Sequence, residues 1–247
     1  TKFIELAGGT SALIVVFPTA SSERDTGEYY QDLLAGYGCT NVSVADVRDR
    51  QDAGDIELAA VVRSAGGIFF SGGDQRRITE ALLGTAVGDA VVDAFNGGAA
   101  VGGTSAGTAC QSGKMITGDG DFTVITADNI EMWDGLGLFE GVIVDQHFVA
   151  RKRHNRLMSV VLENPQLLGV GVDEGTAVWV RPNGTFEVLG DGWVIVYDAS
   201  EAEVRRRPYE HGGEAMGAVG MKTHILLPGD IFNIERRRLE IMRAKPR

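Results

Sequence analysis

The sequence predicts an α/β fold: a doubly wound, mostly parallel sheet with helices on both faces and antiparallel hairpins added in the C-terminal third. Three observations carry that expectation. Short apolar, β-branched runs such as "LIVVF" and "GIFF" read as strands buried on both faces, as parallel sheets require. Segments of helical period separate them, giving a β-α-β-α order and right-handed crossovers. From about residue 168 the texture turns β-rich and is punctuated by Asn-Gly and Asp-Gly, the mark of hairpins.

In chain order, "SALIVVFPTAS" (residues 11–21) predicts the first strand, ended by proline. Residues 25–36 predict a helix with Tyr29, Leu33 and Leu34 on its inner face, closed by Gly36 and Gly38. "NVSVADV" alternates and predicts the second strand, and "DIELAAVVRSAGG" a helix opened by Asp55. "GIFFSGGD" is the third strand running into a glycine turn, with a helix from Gln75. A helix over residues 86–96 precedes "GGAAVGGTSAG", the fourth strand and its turn. "GVIVDQHF" then gives a strand, and "RHNRLMSVVLEN" a helix whose Leu157, Val160, Val161 and Leu162 face the core. "LGVGVD", "TAVWVRPNGTFEVLGDGWVIVYD" and "KTHILLPGD" predict strands that extend the sheet through tight turns. Neither a repeat nor a low-complexity linker interrupts the chain, so one domain over residues 1–247 is expected.

Composition narrows the function. A net charge of −11 argues against nucleic acid or an anionic membrane as the main partner and weakly favours a cationic substrate. No apolar run reaches membrane-helix length and no signal peptide is visible, so a cytoplasmic protein is expected, although a start at Thr1 is compatible with a removed leader. Cys39 and Cys110 are too few and too far apart for a disulfide framework or a zinc site. They read as free thiols, Cys110 on the buried side of a helix. No ligand cluster appears, and neither metal nor cofactor is expected.

Gly103-Thr104-Ser105-Ala106-Gly107 matches the G-x-S-x-G pattern of a nucleophile on a sharp strand-to-helix turn. Small residues there also let a strand and a helix approach closely, which is the structural reading of the same stretch. A serine nucleophile needs a base. His154 lies in a basic helical stretch that suggests a solvated face, His211 in a polar loop, and His224 at the start of an apolar strand. His147 ends "GVIVDQHF", at the carboxyl end of a predicted strand and level with a serine on its neighbour. The orienting carboxylate is open between Asp145, Asp173 and Glu174. Asp145 shares a strand face with His147, whereas the adjacent Asp173 and Glu174 face opposite ways. Oxyanion donors are expected from the backbone of Ala106 and from Gly73 or Asp74 in the glycine turn.

"FFSGGDQRRI", "GGTSAGT", "DQHFVARKRHNRL" and "LGVGVDEGTA", in this order and spacing, resemble peptidase family S51 over residues 12–229. The third block resembles the branch of that family that cleaves cyanophycin. The resemblance implies a fold related to class I glutamine amidotransferases, a serine nucleophile and a homodimer. It also implies Ser105 as nucleophile, His147 as base and Glu174 as orienting acid. A substrate site lined by Gln75, Asp145, Gln146, Arg151, Arg153 and Arg156 follows from it too. The implied substrate is a poly-aspartate chain bearing arginine on each β-carboxyl, released as β-aspartyl-arginine dipeptides. Aspartyl and isoaspartyl dipeptidases of the family make short peptides the alternative. Three guanidinium groups in "RKRHNR" suit a substrate with free carboxylates. Family members usually open with an extra strand bearing Gly-Gly; here "TKFIELAGGT" stands in its place, so that strand is expected to be missing or removed.

Overall fold

A computed structural model describes residues 1–240. The chain forms two compact units, Thr1–Gln111 with Asp134–Leu138, and Ser112–Trp133 with the residues from Phe139 onward.

The first unit opens with a short helix, α1 (Lys2–Leu6), in the stretch preceding the first strand. Its Phe3 ring packs edge-on to Phe69, centroids 5.5 Å apart. There follow β1 (Ile14–Phe17), α2 (Thr26–Gly36), β2 (Val42–Val44), α3 (Ile56–Arg63), β3 (Gly67–Phe70), α4 (Gln75–Leu82), α5 (Ala86–Asn96), β4 (Ala100–Gly103) and α6 (Ala106–Ala109). The strands form one all-parallel sheet in the order β2-β1-β3-β4. All four β1 residues are inaccessible to solvent, which is why that strand reads as an unbroken apolar run. Asp55 caps α3 by accepting from the N–H groups of Glu57 and Leu58, and Asp74 caps α4 at Arg76. The inner face of α2 differs from the expectation. Leu34 and Tyr30 pack into the core with Gly27 against Val44, while Tyr29 and Leu33 are exposed. The contact row is thus Gly27, Tyr30 and Leu34, a stripe the sequence hides because its closest-packed member has no side chain.

In the second unit β5 (Lys114–Ile116) and β6 (Met132–Asp134) pair as a ribbon. Next come β7 (Val142–Gln146), α7 (His154–Glu163), β8 (Leu168–Val172), β9 (Thr176–Arg181), β10 (Thr185–Gly190) and β11 (Val194–Asp198). The remaining strands are β12 (Glu203–Pro208), β13 (Glu214–Val219), β14 (Lys222–Leu226), β15 (Ile231–Asn233) and β16 (Arg238–Glu240). A mixed sheet in the order β14-β11-β8-β7 is parallel between β7 and β8 and antiparallel elsewhere. One face sets Val142, Val144, Val170 and Val196 against Phe186, Val188 and Phe232 of a second, antiparallel sheet, β16-β15-β10-β9. The other face sets Ile143, Ile195 and Tyr197 against Leu157, Val160 and Val161 of α7. The predicted hairpins therefore divide: β11 and β14 extend the sheet, while β9, β10, β15 and β16 make a layer of their own. β12 and β13 form a separate ribbon.

Asp198, at the end of β11, accepts from Arg237 Nη1 at 2.6 Å and from the Ser200 N–H at 2.9 Å. Burial pushes its carboxyl up, but those two donors outweigh burial and hold it below the ordinary value. A carboxyl lowered by folding stabilises the protein fully above its unfolded value, about 3.9. That contribution disappears as pH falls through the lower folded value. Urea unfolding from neutral to acid pH is expected to show Asp198→Asn less stable than wild type near neutrality, with the gap closing at the acid end.

Candidate active site

Ser105 lies between β4 and α6 with φ 52° and ψ −110°, a left-handed backbone that non-glycine residues rarely adopt. Its neighbours show why it is forced there. A Cβ on Gly103 would lie 2.2 Å from the Gly107 carbonyl oxygen, and one on Gly107 would lie 2.2 Å from that of Phe70. Strand and helix start are pressed together, and the chain turns within one residue to make the connection. Cys110, at the end of α6, is fully buried and donates to the Gly107 carbonyl; burial raises its thiol pKa, so it stays protonated and unreactive.

The β3–α4 turn lies beside the serine in the same unit: a methyl group on Gly72 would sit 3.5 Å from Ser105 Cβ. Gly73 has φ 141°, and a Cβ there would lie 2.0 Å from the Ala20 carbonyl oxygen. Asp74 donates its N–H to that same oxygen at 2.9 Å. Of the two expected oxyanion donors in this turn, Asp74 is therefore already engaged. The Asp74 carboxylate accepts from the Arg76 N–H and pairs with its guanidinium, which keeps it below the ordinary range against the opposing effect of burial. Gln75 is buried at the first position of α4.

The remaining expected residues lie in the second unit. Strand alternation turns Asp145 toward α7, where Arg156 grips it by two hydrogen bonds, Nε to Oδ2 at 2.7 Å and Nη2 to Oδ1. Both side chains are buried, and Arg153 Nη1 adds a contact to Asp145 at 3.6 Å. Arg153 Nη1 also donates to the Gln146 carbonyl at 2.7 Å and to its side-chain oxygen at 2.6 Å. Burial, then the charge of Arg156, pull the Arg153 pKa down to about 10 despite Asp145. Arg151 is exposed.

His147 has φ 51°, so the chain leaves the strand alternation there, and Asp145 and His147, expected on one strand face, take different partners. Nδ1 of His147 lies 3.1 Å from Glu174 Oε1. An ionised carboxylate only accepts, so this contact puts the imidazole proton on Nδ1 and the basic lone pair on Nε2. Asp173, facing the other way, accepts at Oδ1 from the N–H groups of Val149 and Ala150 at 3.1 and 3.0 Å. One adjacent carboxylate thus holds the ring and the other holds the turn that follows it. The sequence signalled that the two face opposite ways but not which grips what. His154 is not on a solvated face: its Nδ1 lies 2.9 Å from the Tyr197 hydroxyl and its ring packs on Phe148.

Among the described residues, no group of three or more His, Cys, Asp or Glu could hold a metal ion. None of their helices is long and apolar enough to cross a membrane.

In fold the chain is an α/β peptidase. It superimposes on the crystal structure of a peptidase from an acI-B1 Actinobacterium with a TM-score of 0.64 at 22% identity, covering 92% of this chain and 88% of that one. It belongs to peptidase family S51, whose sequence profile matches residues 1–188. It is 35% identical to the cyanophycinase of Synechococcus elongatus over 97% of this chain and 75% of that protein. To the cyanophycinase of Trichormus variabilis it is 34% identical, over 95% and 80%.

The Asp145–Arg156 pair has a measurable consequence. Removing one partner leaves a buried charge uncompensated, which costs roughly 3–5 kcal/mol. Arg156→Met is expected to lose about that much in chemical denaturation. The double variant Asp145→Leu/Arg156→Met is expected to recover most of it, because the one charge left, that of Arg153, keeps its hydrogen bonds to Gln146.

Proposed function

We propose that this S51 peptidase hydrolyses cyanophycin by serine chemistry, releasing β-aspartyl-arginine dipeptides through an acyl-enzyme. The observation that carries the reading is the strained backbone of Ser105, in a glycine-flanked turn at the carboxyl end of a parallel strand. Strain of this kind costs roughly 1–3 kcal/mol and persists where function repays it. The cyanophycinases to which the chain is similar supply the substrate class.

In this mechanism His147 Nε2 takes the Ser105 proton as Oγ bonds to the backbone carbonyl carbon of an aspartyl unit, and the carbonyl electron pair moves onto oxygen. The N–H groups of Ala106 and Gly73 hold that oxyanion. On collapse the C–N bond breaks and His147 returns its proton to the leaving amine. Water, deprotonated by the same imidazole, then cleaves the ester and restores the serine. Glu174 keeps the proton on Nδ1 and balances the imidazolium that forms twice per cycle. Arg151, Arg153, Gln75 and Gln146 contact the substrate. Asp145 and Arg156, buried against each other, act as positioning residues behind them. The whole chain works as one catalytic domain, in a cytoplasmic homodimer.

Purified cyanophycin is to be incubated with the wild-type protein and with Ser105→Ala, and the soluble products identified by mass spectrometry. The wild type is expected to release aspartate-arginine dipeptides and the variant none. Release by Ser105→Ala at the wild-type rate would sink the nucleophile. Cleavage of short β-aspartyl peptides with the polymer left intact would move the substrate to the dipeptidase class while keeping the chemistry.

Glu174→Gln offers the imidazole an amide that can also donate, so the tautomer is no longer enforced. The expected loss is about a hundredfold or more in kcat with little change in KM. An unchanged kcat would remove Glu174 from the mechanism.

A further inference from the structure

The second unit carries a feature that the mechanism does not use. The β12 strand contains three successive arginines, Arg205, Arg206 and Arg207, in a chain of net charge −11. Strand alternation divides them between two faces. Arg206 lies opposite the buried Met216 and reaches Glu214 on the same face, 3.6 Å away. Arg205 and Arg207 share the other face, opposite Gly217 and Ala215. Both are exposed, and neither forms an ion pair among the described residues. Two residues apart on one strand, they stand about 7 Å from each other. The residues opposite are small, so no bulky side chain stands directly across from either arginine.

The ribbon is tied to the segment that carries the expected base. Ala215 bridges to Thr126, and the Met216 N–H donates to the Ile125 carbonyl. The same loop lays the Phe122 ring 4.9 Å from the Arg156 guanidinium carbon, and the Thr123 carbonyl accepts from Asn155 Nδ2. Arg156 in turn holds Asp145, two residues before His147. A charged edge strand does resist unwanted pairing with another chain. That role is met by scattered charge and is indifferent to face, whereas here both arginines without an ion pair are on one face.

Resting on the reading that the substrate is the polymer, we propose that Arg205 and Arg207 form a second binding strip for carboxylates on a polymer segment other than the one being cut. Each repeat of that polymer offers one free carboxylate, that of its pendant arginine. An extended polypeptide presents alternate side chains on one face at about 7 Å, the spacing of the two guanidinium groups. Guanidinium and carboxylate pair as forks. The acidic remainder of the protein repels a plain polyanion but not a chain that carries a guanidinium on every repeat.

The test compares wild type with Arg205→Gln/Arg207→Gln on two substrates, the insoluble polymer and a soluble dimer of β-aspartyl-arginine units. Cosedimentation with polymer is measured alongside cleavage, with single-stranded DNA as a competing polyanion. The expected result is about a three- to tenfold loss in cosedimentation and a matching rise in KM on polymer, diminished by salt. The kcat/KM on the soluble dimer is expected to stay at the wild-type value. Equal losses on both substrates would overturn the strip in favour of a role in folding or positioning. No loss on either would overturn it outright. Loss of DNA binding with polymer binding intact would hand the surface to nucleic acid. A wild type that neither binds nor cleaves polymer, while the variant matches it, would bring down the substrate reading and the strip together.

Discussion

Close approach of backbone to backbone at the end of β4 is the constraint on which the first unit depends. Gly103 and Gly107 each occupy a place where a single added carbon would meet a carbonyl at 2.2 Å. With no side chains to separate them, β3, β4 and the start of α6 close up, and the one residue between the glycines that must reverse the chain is Ser105. Its left-handed φ is the consequence of that packing and not a local preference, since serine pays a steric penalty there that glycine does not. The parallel sheet around it, with an inaccessible β1 next to β3, is rigid enough to impose the conformation.

In the second unit the corresponding constraint is electrostatic. Strand β7 carries Asp145 into a face otherwise built from Ile143, Leu157, Val160 and Val161, where an isolated carboxylate would be untenable. Arg156 answers it from the first turn of α7, and the two-point pairing sets the rotation of that helix against the strand. Arg153, one turn back, reaches the Gln146 carbonyl where β7 ends. Asp173 takes the next two N–H groups after Phe148. The segment from 145 to 156 is thus held by charge-assisted contacts at nearly every step, which is what allows His147 to sit at a positive φ.

The parallel strands and most helix limits were legible because burial on both faces writes a continuous apolar run, and because Asp55 and the paired glycines mark helix ends. The places of Ser105 and His147 in the fold were legible for a related reason: each follows the end of a strand, where the apolar run stops and the chain turns. The inner stripe of α2 was not, since its closest contact is a glycine, and hydrophobic pattern has no symbol for that. His154 was misread because its neighbours in sequence are basic, while its neighbours in space are Phe148 and Tyr197. Which carboxylate meets His147 was also beyond local pattern. Alternation put Asp145 on its face, and only the left-handed turn at His147 separates the two.

That separation has a chemical logic within the proposed mechanism. An imidazolium needs a carboxylate whose charge is still available to it. Asp145 is gripped by Arg156 and lies 3.6 Å from Arg153, so two positive groups already share its one negative charge. A third cation beside it would meet a site that is positive on balance. Glu174 is more than half exposed, and the 3.1 Å contact keeps it close to the ring. Asp145 therefore serves best as the anchor of α7, and the exposed glutamate at the end of β8 is the better partner for a base that must gain and lose a proton in each half of the reaction.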